Sequence, residues 1–153
     1  MVYPDPFLAR KAVPVAAVND RIRALIRDMF ETMYAAEGVG LAATQVGVGK
    51  RVVVLDVSPV DETIAPLAVV NPEIVSRSGS VTGVEGCLSV PGVQGEVCRA
   101  ETVVVRGMDA QGNPLRIQAA GILSRALQHE IDHLDGILFI ERASSSSAAA
   151  SAK

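Results

Sequence analysis

The sequence predicts an α+β fold, with mixed or antiparallel β-sheets packed around a central helix that carries two histidines, in a single domain. Three observations lead there. Short β-branched runs, such as Val52-Val53-Val54-Leu55, are bounded by turn-forming glycines and prolines. Two stretches, one early and one late, carry apolar residues at the 3.6-residue period of a half-buried helix. The length of 153 residues suits one core of ordinary size, and 49% hydrophobic residues with a net charge of −3 is a globular balance. With two tyrosines, three phenylalanines and no tryptophan, that core must be aliphatic.

Taken in order, residues 1–18 carry Pro4, Pro6 and Pro14 and read as an extended or turning lead-in. Ile22, Leu25, Ile26, Met29, Phe30 and Met33 then predict a helix over about 20–36, capped by Asn19 or Asp20 and stopped by a left-handed Gly38. The glycine-rich segment 38–47 reads as a loop. Strands are expected at 51–57 and 67–70, and the Gly/Ser-richer stretch 76–91 as a surface loop or bulged strand. Residues 101–107 and 114–119 predict a hairpin turning at Asp109–Asn113. Gly121 precedes a second helix that ends at Asp135-Gly136. From Ser144 the chain is almost wholly Ser and Ala with no apolar face, so 144–153 is expected to be a disordered tail on a domain spanning 1–143.

Several function classes fall away. A direct nucleic-acid partner is not expected, because the chain is acidic and poor in stacking aromatics. No apolar run nears the roughly 18 residues of a membrane span. The start, Met1-Val2-Tyr3-Pro4, has neither the basic nor the apolar segment of a secretory signal. Two cysteines, Cys87 and Cys98, are too few for a disulfide scaffold and suit a reducing cytoplasm.

The chemistry is concentrated in scarce residues. His129 and His133, the only histidines, stand four apart in His129-Glu130-Ile131-Asp132-His133, on one helical face. At that spacing two imidazoles can share a metal, with the intervening Glu130 beside its water. A metalloprotease would take a third ligand downstream, but Phe139 stands where a histidine is needed and only Glu141 follows. The third ligand is therefore sought upstream. Cys87, in Glu85-Gly86-Cys87-Leu88-Ser89, is the best candidate, since thiolate is a strong ligand and Gly86 permits close approach. A small buried apolar role, or a disulfide with Cys98, are its alternatives. Cys98, in an alternating segment with Val97 and Arg99, reads as a small buried side chain.

Three segments together resemble the peptide deformylase family: Gly38-Val39-Gly40-Leu41-Ala42-Ala43-Thr44-Gln45, Glu85-Gly86-Cys87-Leu88-Ser89 and Gln128-His129-Glu130-Ile131-Asp132-His133-Leu134. The first also fits a relaxed dinucleotide fingerprint, but it follows a helix and leads into a strand, the reverse of the context that motif requires.

The resemblance implies hydrolysis of the N-formyl group from the formylmethionine of new polypeptides, releasing formate. It implies a divalent metal on Cys87, His129 and His133, most often Fe(II), with zinc, nickel or cobalt as replacements. Glu130 is then the acid/base, and the Gln45 amide and Leu88 N–H stabilise the oxyanion. From position alone Gln45 would be a solvated surface residue and Leu88 a core leucine. The formylmethionyl peptide is expected to pair with Val39, Gly40 and Gly86, with Gly83, Ala126 and His129 as pocket walls. Glu85 and Asp132 could orient or neutralise neighbours together with Arg99, although an exposed helix acid is the expected fate of Asp132. An inactive formyl-peptide-binding relative is the non-enzymatic rival. Many bacterial members continue into a helix implicated in ribosome docking; here that element gives way to Ser and Ala, so ribosome association lacks its usual basis.

Overall fold

The computed structural model describes residues 1–146. In chain order its elements are α1 (Asp20–Ala35), β1 (Gly40–Ala42), β2 (Val52–Leu55), β3 (Leu67–Ser78), β4 (Val81–Cys87), β5 (Val90–Arg99), β6 (Thr102–Met108), β7 (Pro114–Ala120), α2 (Gly121–Leu134) and β8 (Ala143–Ser146). A five-stranded antiparallel sheet runs β1-β2-β3-β6-β7, and a three-stranded one runs β4-β5-β8.

The large sheet is covered on both faces, which explains the unbroken apolar run of β2. Val53 and Leu55 join Val69, Val103, Val105, Leu127, Ile131 and Leu134 in a core beneath α2. Val52 and Val54 join Ile22, Ile26, Met29, Met33 and Val70 in a core beneath α1. A strand buried on both faces has no reason to alternate. The small sheet packs its own cluster, Leu8, Val90, Val93, Val97, Leu138 and Phe139.

The first helix forms as expected, with the Asn19 side chain accepting from the Ile22 N–H at 3.0 Å. Its stop differs. The left-handed residue is Glu37, at φ +58°, and Gly38 instead lies beneath Leu88, where a Cβ would come within 2.8 Å of Cδ1. The expected loop over 38–47 contains β1 and a 3₁₀ turn, Ala43–Val46, because edge pairing with β2 draws its first residues into the sheet. The strand expected at 67–70 continues through Ser78 across two register shifts on β6. The hairpin over 101–119 forms in the expected place, as β6 and β7. The second helix ends at Leu134, where the Arg51 guanidinium donates to Leu134 O at 3.1 Å and pairs with Asp135 at 2.9 Å.

The expected disordered tail is corrected over its first residues. Ser145 and Ser146 pair with Glu96 and Gly95 at the open edge of β5, a contact that main-chain groups make without any apolar side chain. Residues 147–153 lie outside the described residues.

Leu127 is fully buried at the junction of α2 and the large sheet. Leu127→Ala is expected to lower unfolding free energy by about 3 kcal/mol. Denaturant midpoints measure this, and a loss below about 1 kcal/mol would mean that the site collapses without a cavity.

Candidate metal centre

The donor set comes from two elements. His129 and His133 stand one turn apart on α2, with ring centroids 5.0 Å apart. Cys87 ends β4 at a break in register, since Gly86 opposes Gln94 while Cys87 opposes Val90. Such a bulge re-aims a side chain, here toward the helix. Cys87 Sγ lies 3.1 Å from His133 Nε2, and one donor atom from each of the three residues lies within 4.8 Å of the others. This is the three-residue group that could hold a metal ion among the described residues.

The surroundings fit a metal. His129 Nδ1 lies 2.9 Å from Glu85 Oε1, which fixes the ring and leaves Nε2 for an ion. Glu130 Oε1 is buried with no partner among the described residues, as is His133 Nδ1 on the side of the ring away from the Nε2 that faces Cys87. Unpaired buried polar atoms are costly, and they mark a place where a further group belongs. Glu130 Oε2 faces β1 so closely that a Cβ on Gly40 would come within 2.6 Å of it. Only glycine fits there.

Charge is arranged around Glu85. Its carboxylate accepts from Arg99 Nε at 2.7 Å and Nη2 at 2.9 Å, and from Arg125 Nη1 at 2.5 Å, besides facing His129. Burial alone would raise its pKa, but the hydrogen bonds from His129 and Arg99 hold it down to about 2. Burial pushes Glu130 up to about 7, against the pull of His129 and Arg99. Among the protein groups, burial opposes charge on His129, yet Glu130, Cys87 and Glu85 raise it to about 10. Burial, reinforced by that neighbour, lowers His133 to about 3. A divalent ion takes both imidazoles in their neutral form, so metal and protons compete for this pair.

A cleft of about 540 Å³ opens onto these groups. Val39, Gly40, Gln45, Gly86, Cys87, Leu88, Ala126, His129 and Glu130 all line it. Its walls include β1 and β4, each at the edge of its sheet. Gln45 is buried and held at both ends of its amide. Oε1 accepts from the Ala42 N–H at 2.9 Å, while Nε2 donates to Ser89 Oγ at 3.1 Å and faces Cys87 Sγ at 3.5 Å.

Four expectations require correction. Gly83 does not line the cleft; the Arg125 guanidinium lies over it. Leu88 is 38% exposed at the cleft mouth rather than in the core. Asp132 is buried, because Arg99 and Arg142 both donate to it, each at 2.6 Å. Cys98 is exposed, since the alternation of β5 turns Val97 and Arg99 inward instead. Arg125 escaped notice in the sequence, although its place four residues before His129 put it on the same helical face.

A sequence profile described as Polypeptide deformylase matches residues 1–149. The peptide deformylase of Alkalilimnicola ehrlichii is 53% identical over 141 residues, which cover 92% of this chain and 79% of the relative. That of Thermodesulfovibrio yellowstonii is 49% identical over 142 residues, covering 93% and 86%. A crystal structure of a Synechococcus elongatus peptide deformylase in complex with actinonin is similar at a TM-score of 0.90 and 43% identity, covering 94% of this chain and 79% of that one. One from Legionella pneumophila gives 0.88 at 46% identity, covering 94% and 84%.

The depressed Glu85 pKa makes an acid-dependent contribution to stability. It is present above the ordinary carboxylate value of 4.5 and is lost as pH falls toward about 2. Glu85→Gln is expected to be less stable than wild type at pH 7, with the gap in denaturant midpoint narrowing between pH 4.5 and 2.5. An equal gap at every pH would show that the Glu85 charge is not engaged.

Proposed function

The chain belongs to the polypeptide deformylase family and is an enzyme that removes the N-formyl group from nascent peptides; from that premise we propose how its own residues carry the reaction. The observation that carries the reading is the meeting of Cys87, His129 and His133 beside a buried Glu130 with one oxygen unpaired.

The Cys87 thiolate and the two imidazoles would hold one divalent metal, Fe(II) in the native enzyme, with zinc, nickel or cobalt able to replace it. When bound, the metal supplies Lewis acidity that lowers the pKa of water and polarises the formyl carbonyl. Glu130, buried and with one carboxylate oxygen unpartnered among the described residues, accepts the proton of the attacking water. The Gln45 amide N–H and the Leu88 main-chain N–H donate to the oxyanion that develops on the formyl group. Gln45 is prepared for this by its bonds to the Ala42 N–H and Ser89 Oγ, and the second Nε2 hydrogen, which faces Cys87 Sγ at 3.5 Å, is the one that would turn to the oxyanion. As the C–N bond breaks, Glu130 returns the proton to the departing amine, and formate and a free N-terminus result.

The formylmethionyl peptide would lie extended in the cleft, pairing with main-chain groups of Val39, Gly40 and Gly86. Ala126 and His129, with the neighbouring Ile122, form the wall that meets the methionine side chain. The catalytic body extends through residue 143, and β8 adds an edge strand to it. Among the described residues, no helix is long and apolar enough to cross a membrane. The cytoplasm, where thiolate ligands are kept reduced, is the proposed compartment. The nascent chain itself is the proposed partner, with no direct nucleic-acid contact. Ribosome docking is not assigned to any described element.

Anaerobically purified protein loaded with Fe(II) or Ni(II) is expected to release formate from a formyl-Met tripeptide and to leave internal peptide bonds intact. Glu130→Gln should keep its metal and lose about 10²- to 10⁴-fold in turnover. Near-normal turnover in that variant would refute the acid/base role, and no formate from fully loaded wild type would refute the proposed site.

A further inference from the structure

The donor set is divided between two bodies that share no apolar core. The core beneath α2 belongs to the large sheet, whereas Cys87 belongs with the small sheet's own cluster. Apart from the Phe139 ring stacked on His129 at 6.1 Å, spacing between the thiol and the imidazoles is set by polar side chains that cross from helix to small sheet. Near the end of α2, Asp132 meets Arg99 of β5 at 2.6 Å. Near its start, Arg125 does more. Nη1 donates to Glu85 Oε2 at 2.5 Å and to Val97 O at 3.0 Å, and Nη2 donates to Val81 O at 2.7 Å. One side chain thus grips both β4 and β5 from the helix that carries the histidines.

We infer that Arg125 is a positioning residue for the metal centre: it locks the small sheet against α2 so that Cys87 and the two histidines meet one ion. It also engages Glu85 Oε2, while Oε1 faces His129 Nδ1. Gly83 belongs to the same device, because a Cβ there would lie 3.2 Å from the Arg125 guanidinium and displace it. Lysine could not replace it, since a single ammonium has no planar fork with which to reach a carboxylate and two carbonyls on separate strands. The inference rests on the reading of Cys87, His129 and His133 as ligands.

The test uses full-length protein loaded with Co(II), challenged with excess chelator and followed through its visible absorption. Arg125→Met is expected to lose the ion about 10- to 100-fold faster than wild type, matching the scale by which affinity falls when outer partners of metal ligands are removed. Its Co(II) bands should also shift, which a general loss of stability would not produce. Arg125→Lys should fall between wild type and Met. Gly83→Ala, which crowds the guanidinium without deleting it, should act in the same direction and less strongly. If Arg125→Met does not fold, these two variants carry the test. Wild-type ion loss and an unshifted spectrum in folded Arg125→Lys and Gly83→Ala would overturn the inference and leave the ligand reading standing. A Cys87→Ala protein with unchanged Co(II) content and spectrum would instead overturn the ligand reading, and this inference with it.

Discussion

A single buried carboxylate, Glu85, is the constraint around which the rest is arranged. A lone carboxylate in this interior would be prohibitively costly, because an ion removed from water loses several kcal/mol of hydration even after relaxation. Here two guanidinium groups and an imidazole occupy all of its acceptor capacity. Each partner belongs to a different place in the chain. Arg99 closes β5, while Arg125 and His129 lie on α2, and Glu85 itself is two residues from Cys87. Satisfying one charge therefore aligns the strand with the thiol and the helix with the imidazoles. The buried Asp132 repeats the arrangement on the same helix, between Arg99 and Arg142.

Such a polar interior is tolerable because the apolar work is done elsewhere. The large sheet, filled from both faces by α1 and α2, supplies the dry cores. This leaves α2 free to turn two polar stripes away from that sheet. Ser124, Gln128 and Asp132 form one, with Gln128 bonding both the Ala100 N–H and its carbonyl. Arg125, His129 and His133 form the other and face the small sheet. Successive members in each stripe are four residues apart, so the helix periodicity itself separates scaffold from chemistry.

What the sequence made legible was local. The Asn19 cap, the apolar period of α1, the hairpin over 101–119 and the spacing of the two histidines all depend on neighbours within a few residues. The site was legible for a similar reason: rare side chains in short motifs carry a strong signal even when they lie far apart. What escaped depends on distant partners. The burial of Asp132 depends on Arg99, 33 residues earlier, and on Arg142, which donate to it together. Glu37 adopts a backbone conformation that glycine favours, while Gly38 lies against the tip of a leucine fifty positions on. The strand that begins at Ala143 is built from main-chain pairing, which no apolar pattern announces.

The separation of the donors also orders events in time. Cys87 and His133 are 46 residues apart, and the β6–β7 hairpin lies between them. Closing a segment of that length in an unfolded chain is entropically unfavourable, and the growing chain makes the thiol long before the imidazoles. A compact cysteine–histidine motif can seize its metal first and fold around it. Here the three donors meet only across β4 and α2, so it is the folded chain, and not a local motif, that supplies the site.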